Sequence, residues 1–401
     1  MIVANRRTRA HIDVPLLVMV FGLALFGILA VCVATYSTES SSDASLLSHI
    51  INSSYAMRQT LFFVVGIVIV TVIMSIPFDL IRRLTKLVYY AGSALLVIVL
   101  FASQARGVKA WLDVLWGFTI QPSELAKLSL ILMLAQELSR TSRPLSTVKE
   151  FLYVMALVGV PSVVILLQGE MGSLLVIVSM FAIMLFFSNV DMKLLLGLAA
   201  VAILAVLAIY GFAVAIGSDN YRLQRILAFF DPATYSSSDA YQQLNSMTAI
   251  GSGGLSGIGM FVDGSWAQLN YVPADWTDFI YAPIGEAFGF IGCFSILIIY
   301  LLIILRLLYL AWYTQDRYGK LIIIGVMGML LFHVFENIGM TIGLMPITGI
   351  PLPFLSYGGS NMVTNMGGIA LALNVTKNRS LSHNIITPQA STVTYRFMGR
   401  K

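Results

Sequence analysis

Asp278 stands in Val272-Pro273-Ala274-Asp275-Trp276-Thr277-Asp278-Phe279-Ile280, directly ahead of a long apolar run. A carboxylate at such a membrane interface loses part of its hydration. That raises its pKa and suits it to accept a hydroxyl proton as a general base. The same position equally suits a helix-start residue, where an acid answers the positive end of the helix dipole. Asp275, three residues earlier, could raise the pKa of Asp278 further by like-charge repulsion.

Two neighbouring sets of cations could serve an anionic ligand. Arg106 and Lys109 share a loop with Trp111 and Trp116; Arg222 and Arg225 share one with Tyr221, Trp266, Tyr271 and Trp276. Arginine grips a pyrophosphate with two parallel hydrogen bonds, and pairing with Asp113, Asp219 or Asp231 is the plainer use of the same charges. Trp111 could stack on a sugar or mark a membrane interface. Glu124 and Lys127 lie three apart and share a helix face, so they can pair within an apolar helix. His333 and Glu336 repeat that spacing and read as a buried polar pair, with Asn337 beside them.

Other motifs carry less. The run Gly251-Ser-Gly-Gly-Leu-Ser-Gly-Ile-Gly259 has no following Lys-Ser/Thr and no preceding strand, so it serves tight turns or close backbone approach rather than a nucleotide. Cys32 and Cys293 form no metal or redox spacing. No compact metal-ligand cluster is visible, although a pyrophosphate could bring a divalent cation with it.

The elements that must position these residues follow from composition. Of 401 residues 58% are apolar and 11% charged, against about a quarter charged in soluble domains. This excludes a water-soluble globule, a disordered chain and a disulfide scaffold. The net charge of +5 is weak evidence for nucleic acid, and none is expected as a partner. About ten apolar stretches approach the roughly 20 residues that cross a bilayer. They are Val14–Tyr36, Thr60–Phe78, Leu87–Ser103, Leu125–Leu138, Phe151–Leu167, Gly172–Ser188, Leu194–Gly217, Gly285–Ala311, Leu321–Gly343 and Asn361–Val375. The first is long and lacks a small-residue cleavage site, so a retained helix is expected rather than a signal peptide.

Most Lys and Arg fall in one alternate set of loops, and only Arg58, Arg106, Lys109, Arg222 and Arg225 in the other. Positive residues stay inside, which predicts both termini in the cytoplasm. Residues 1–13 then form a cytoplasmic N-terminus, 14–375 an all-α polytopic membrane domain, and 376–401 a basic cytoplasmic tail. One connection, about 218–281, is far longer than a bundle needs; loops of that length are functional as a rule, and short helices or re-entrant turns would suit it.

Several blocks resemble the SEDS family of cell-wall polymerases (shape, elongation, division and sporulation). They are Gly107-Val-Lys109-Ala-Trp111 with Gln121-Pro-Ser-Glu124-Leu-Ala-Lys127, then Tyr241-Gln-Gln243 through Gly254, then Thr277-Asp278-Phe-Ile with Gly285-Glu286. The most specific is Asn337-Ile-Gly339-Met, continuing in Gly349-Ile-Pro-Leu-Pro353-Phe-Leu-Ser356-Tyr357-Gly-Gly-Ser360. The wording of this last block is closer to the RodA branch than to the FtsW branch.

The resemblance implies a SEDS fold, GT-C-like, and a peptidoglycan glycosyltransferase of the bacterial cytoplasmic membrane. Such an enzyme polymerises lipid II, an undecaprenyl-pyrophosphate-linked disaccharide-pentapeptide, at the outer face during elongation. It works beside a class B penicillin-binding transpeptidase and the elongation machinery. Asp278 matches the family's essential acid. Substrate contacts would come from Arg106, Lys109, Trp111, Glu124, Lys127, Glu170, Arg222, Arg225, Gln243 and Ser356. Three positions depart from the family pattern: Glu170 stands for an aspartate, Trp276 for a histidine, and Ala274-Asp275 where a glutamate is usual. A lipid II flippase, or a division or sporulation polymerase, are the competing readings. A flippase would need polar residues through the membrane depth, whereas here they gather on the outer side.

Overall fold

The computed structural model describes residues 12–36, 46–101, 110–113, 119–216 and 239–382. Twelve helices occupy most of them. They are α1 Val14–Ala34, α2 Leu46–Asn52, α3 Ser54–Ser75, α4 Phe78–Val99, α5 Pro122–Ser139 and α6 Val148–Gln168, followed by α7 Met171–Phe187, α8 Met192–Ile216, α9 Asp239–Ser252, α10 Tyr281–Trp312, α11 Arg317–Thr341 and α12 Gly359–Ser382. Among the described residues, one two-residue ladder accompanies the helices: Leu112–Asp113 pairs antiparallel with Thr119–Ile120.

Each of the ten predicted spans meets one long helix. Among the described residues, α1, α3, α6, α10 and α11 are long and apolar enough to cross a membrane. The ends differ from expectation where polar residues still favour helix. Helix α4 begins at Phe78, not Leu87, because Arg82, Arg83 and Lys86 lie on an amphipathic first half. Helix α12 runs on to Ser382, past the expected boundary at Val375. Helix α2 was not expected, while α9 is the kind of short helix that suits the long loop.

Local chemistry starts several helices. The Asp13 carboxylate accepts Leu16 N–H at 3.0 Å ahead of α1, Ser53 caps α3 through Ala56 N–H, and Asp316 caps α11 through Gly319 N–H at 2.8 Å. Each satisfies a donor that the first turn leaves open. Asp316 also takes both 2.7 Å bonds from Arg82, tying the start of α4 to the turn before α11.

Helix α11 is the central post. It is buried along most of its length, whereas α3, α6 and α10 turn most of theirs outward. The outward residues are large and apolar, such as Val68 and Val72 on α3 and Leu301 and Leu305 on α10. In water this surface would be a liability; against lipid tails it costs nothing.

Helix α10 is broken at Gly289, whose φ of +64° and ψ of −164° are not helical. The backbone of the long loop fills the break. Ile258 and Gly259 donate to the carbonyls of Glu286 and Ala287, and Phe290 and Ile291 donate to those of Gly254 and Leu255. A Cβ on Gly289 would stand 2.3 Å from Gly257 N, so the glycine run does serve close backbone approach.

Candidate active site

The turn Val272–Ile280 leads into α10 and carries Asp278, which is half-buried. Its position is fixed from two sides. Asn337 of α11 donates both amide hydrogens, to the carbonyl of Asp278 at 2.6 Å and to that of Ile350 at 2.7 Å. The loop before α12 supplies the second side. Tyr357 N–H donates to the Trp276 carbonyl at 2.9 Å, and the Ser356 hydroxyl donates to the Thr277 carbonyl. Gly349, with φ of +71°, lies directly against the Asp278 carboxylate, at which its missing Cβ would point.

Asp275 has a different fate. It is fully buried, and loss of hydration raises its pKa well above the usual carboxylate range. Glu286 is likewise taken up internally: its two oxygens accept Trp266 N–H at 2.7 Å and Ala267 N–H at 3.1 Å, fastening the long loop to α10.

A buried polar cluster joins α5 to α11. Lys127 donates to Glu124 at 2.7 Å and sits 3.0 Å from His333 Nε2. His333 Nδ1 faces the Met329 carbonyl at 2.7 Å. The tautomer with hydrogen on Nδ1 satisfies both contacts, leaving Nε2 to accept from lysine. Glu336 instead accepts from the Thr348 hydroxyl at 3.0 Å. The expected His333–Glu336 pair therefore does not form: offset around α11, each side chain reaches a different neighbour.

Glu170 caps the start of α7 without a side-chain cap bond and accepts Gln121 Nε2 at 2.7 Å. Burial pushes its pKa up, and the Gln121 bond opposes that. Its neighbour Gly172 packs so closely that a Cβ there would stand 2.5 Å from Ile350 Cγ1. The α6–α7 turn thus abuts the loop that touches Asp278.

The expected contact residues divide. Arg106, Lys109, Arg222 and Arg225 lie outside the described residues. Trp111 is half-buried just before the ladder. Glu124 and Lys127 are closed into a buried pair rather than open groups, being 2% and 1% exposed. Gln243 spends its amide on the carbonyls of Met340 and Met345. Ser356, fully buried, spends its hydroxyl on Thr277 and accepts Leu352 N–H. Both fasten backbone segments and do not face open space, because a buried loop must satisfy its own carbonyls. Among the described residues, no group of three or more His, Cys, Asp or Glu is arranged to hold a metal ion.

Sequence reasoning missed Gln59. It donates to the Ser356 carbonyl at 3.0 Å and accepts Gly358 N–H at 3.2 Å, binding α3 to the same loop. The signal was present: a single amide within an apolar helix marks a specific partner.

The family model covering FtsW, RodA and SpoVE, described as a cell cycle protein, matches residues 15–381. The chain belongs to this family. Within it, the peptidoglycan glycosyltransferase MrdB of Escherichia coli strain K12 is 30% identical over 94% of this chain and 97% of its own length. The stage V sporulation protein E of Bacillus subtilis is 32% identical over 80% of this chain and 87% of its own.

Solved members agree in fold. A chain from a study of how a peptidoglycan synthase complex coordinates polymerization and crosslinking is 27% identical, with a TM-score of 0.75, over 92% of this chain and 98% of that one. The rod shape determining protein RodA of Thermus thermophilus is 26% identical, with a TM-score of 0.66, over 92% and 97%. The SEDS chain is therefore a multi-pass, helical membrane protein.

Proposed function

We propose that this SEDS protein is a peptidoglycan glycosyltransferase that polymerises lipid II at the outer face of the bacterial cytoplasmic membrane, with Asp278 as general base. Both termini, residues 1–13 and the tail after Val375, lie in the cytoplasm. A class B penicillin-binding transpeptidase works beside it, as crosslinking accompanies polymerisation in the synthase complex that it resembles. The RodA-like reading, elongation rather than division, rests on the wording of the Asn337–Ser360 block and on the likeness to RodA.

The observation that carries the proposal is a half-exposed carboxylate at the head of a spanning helix, in a turn whose backbone carbonyls at 276, 277 and 278 are held by Tyr357, Ser356 and Asn337, with the Gly349 loop against it. A sugar hydroxyl is a poor nucleophile. Asp278 accepts its proton as the oxygen attacks the anomeric carbon. The bond from that carbon to the diphosphate breaks, and the lipid diphosphate leaves with the electron pair. Arg106, Lys109, Arg222 and Arg225 answer the negative charge that grows on it.

The test is the purified protein with its transpeptidase partner, given lipid II and scored for glycan chains on a gel. Asp278→Asn is expected to melt like the parent and make no polymer. Polymer from that variant at the parental rate would overturn the assignment.

A further inference from the structure

We infer that Asn337 is a positioning residue of the transfer reaction, setting where the Asp278 carboxylate stands relative to the Gly349 loop. The inference rests on the reading of Asp278 as the base. Asn337 is fully buried. Its two amide hydrogens go to two carbonyls from separate segments: Asp278, ahead of α10, and Ile350, in the loop before α12. The bonds of 2.6 and 2.7 Å settle which end of the amide is nitrogen, because an oxygen there would face two acceptors.

The bonds from Ser356 and Tyr357 reach Thr277 and Trp276, one and two residues earlier in the turn. Asn337 grips residue 278 itself and the residue after Gly349, so one side chain fixes both faces of the contact between Gly349 and Asp278. The preceding residue, Glu336, holds Thr348 on the near side of the same glycine. Two consecutive positions of the buried post α11 therefore bracket Gly349.

The chemistry makes this grip consequential. A base must stand within hydrogen-bond reach of the proton it takes, and a misplacement of about 1 Å can cost on the order of a hundredfold in rate. Asn337 is closed off from solvent and spends its amide on backbone carbonyls, so its loss slows the chemical step and leaves binding nearly unchanged.

The experiment measures kcat and KM for lipid II with the full chain and its transpeptidase partner, normalised to folded protein, for Asn337→Ala and Asn337→Gln, with Asp278→Asn alongside. For Asn337→Ala, kcat is expected to fall at least tenfold while KM stays within threefold. Asn337→Gln keeps the amide but moves it by one methylene, and kcat is expected to fall severalfold at unchanged KM. This second variant decides the matter if Asn337→Ala does not fold. Parental kcat in either folded variant overturns the inference, as does a loss confined to KM. An active Asp278→Asn overturns the base assignment itself; an inactive Asp278→Asn beside a fully active Asn337→Ala overturns only the positioning role.

Discussion

Gly349 faces Asp278: a methyl group on the glycine would stand 3.3 Å from Asp278 Oδ2, at a backbone φ of +71°. A side chain is disfavoured there twice. The left-handed conformation costs a non-glycine residue roughly 1–2 kcal/mol, and the added carbon presses on the carboxylate. Gly349→Ala is expected to lower the melting temperature by a few degrees and to lower glycan synthesis per folded molecule. A variant that loses stability but polymerises at the full rate would show that the contact is only structural.

Asp275 offers a pH test. Its folded pKa lies well above the ordinary carboxylate value because burial disfavours the charge. The folded chain therefore holds a proton that the unfolded chain releases above about pH 4. Stability from this group is full below that pH and declines as pH rises towards the folded pKa. Asp275→Asn, which stays neutral, is expected to melt higher than the parent near pH 7 to 8, with the gap closing towards pH 4. Melting curves in detergent across that range check the sign; a parent that gains on the variant as pH rises would contradict it.

The pair Glu124–Lys127 is buried, with side chains 2% and 1% exposed. Removing one partner strands the other's charge, at a cost of about 3–5 kcal/mol, whereas removing both is often far milder. Lys127→Met is expected to be severely destabilised, and Glu124→Gln combined with Lys127→Met to recover more than half of the loss. Thermal unfolding of the two single variants and the double one measures the coupling.

Glu286 shows how a carboxylate beside the site can be structural. It accepts two backbone N–H groups that begin a turn of the long loop. Glu286→Gln keeps one acceptor and turns a donor towards the other N–H. A loss of about 1–3 kcal/mol is expected, with activity per folded molecule retained. Inactivity in a fully folded Glu286→Gln would bring Glu286 into the chemistry.

Much of the fold was legible because a bilayer enforces it. Spans such as α1 and α11 announce themselves by apolar length, and the site's carboxylate by its place before α10. What stayed hidden are tertiary hydrogen bonds with no periodicity. Ser356 and Gln243 read as substrate ligands because polar residues in a motif look functional, yet both satisfy buried carbonyls. His333 and Glu336 shared a helix spacing that suggested a pair, but neighbouring elements offered each a better partner. The ladder that Trp111 precedes could not be anticipated, since a two-residue pairing leaves no alternation to detect.

The seam between residues 254–259 and the broken α10 bears on hydrogen exchange. The amides of Ile258, Gly259, Phe290 and Ile291 are each bonded across it, so deuterium can enter only when the loop lifts off the helix. Their exchange should be as slow as that of helical amides at the same depth, setting this part of the long loop apart from an ordinary surface connection. Labelling rates would thus report how firmly this stretch of the loop is seated on α10.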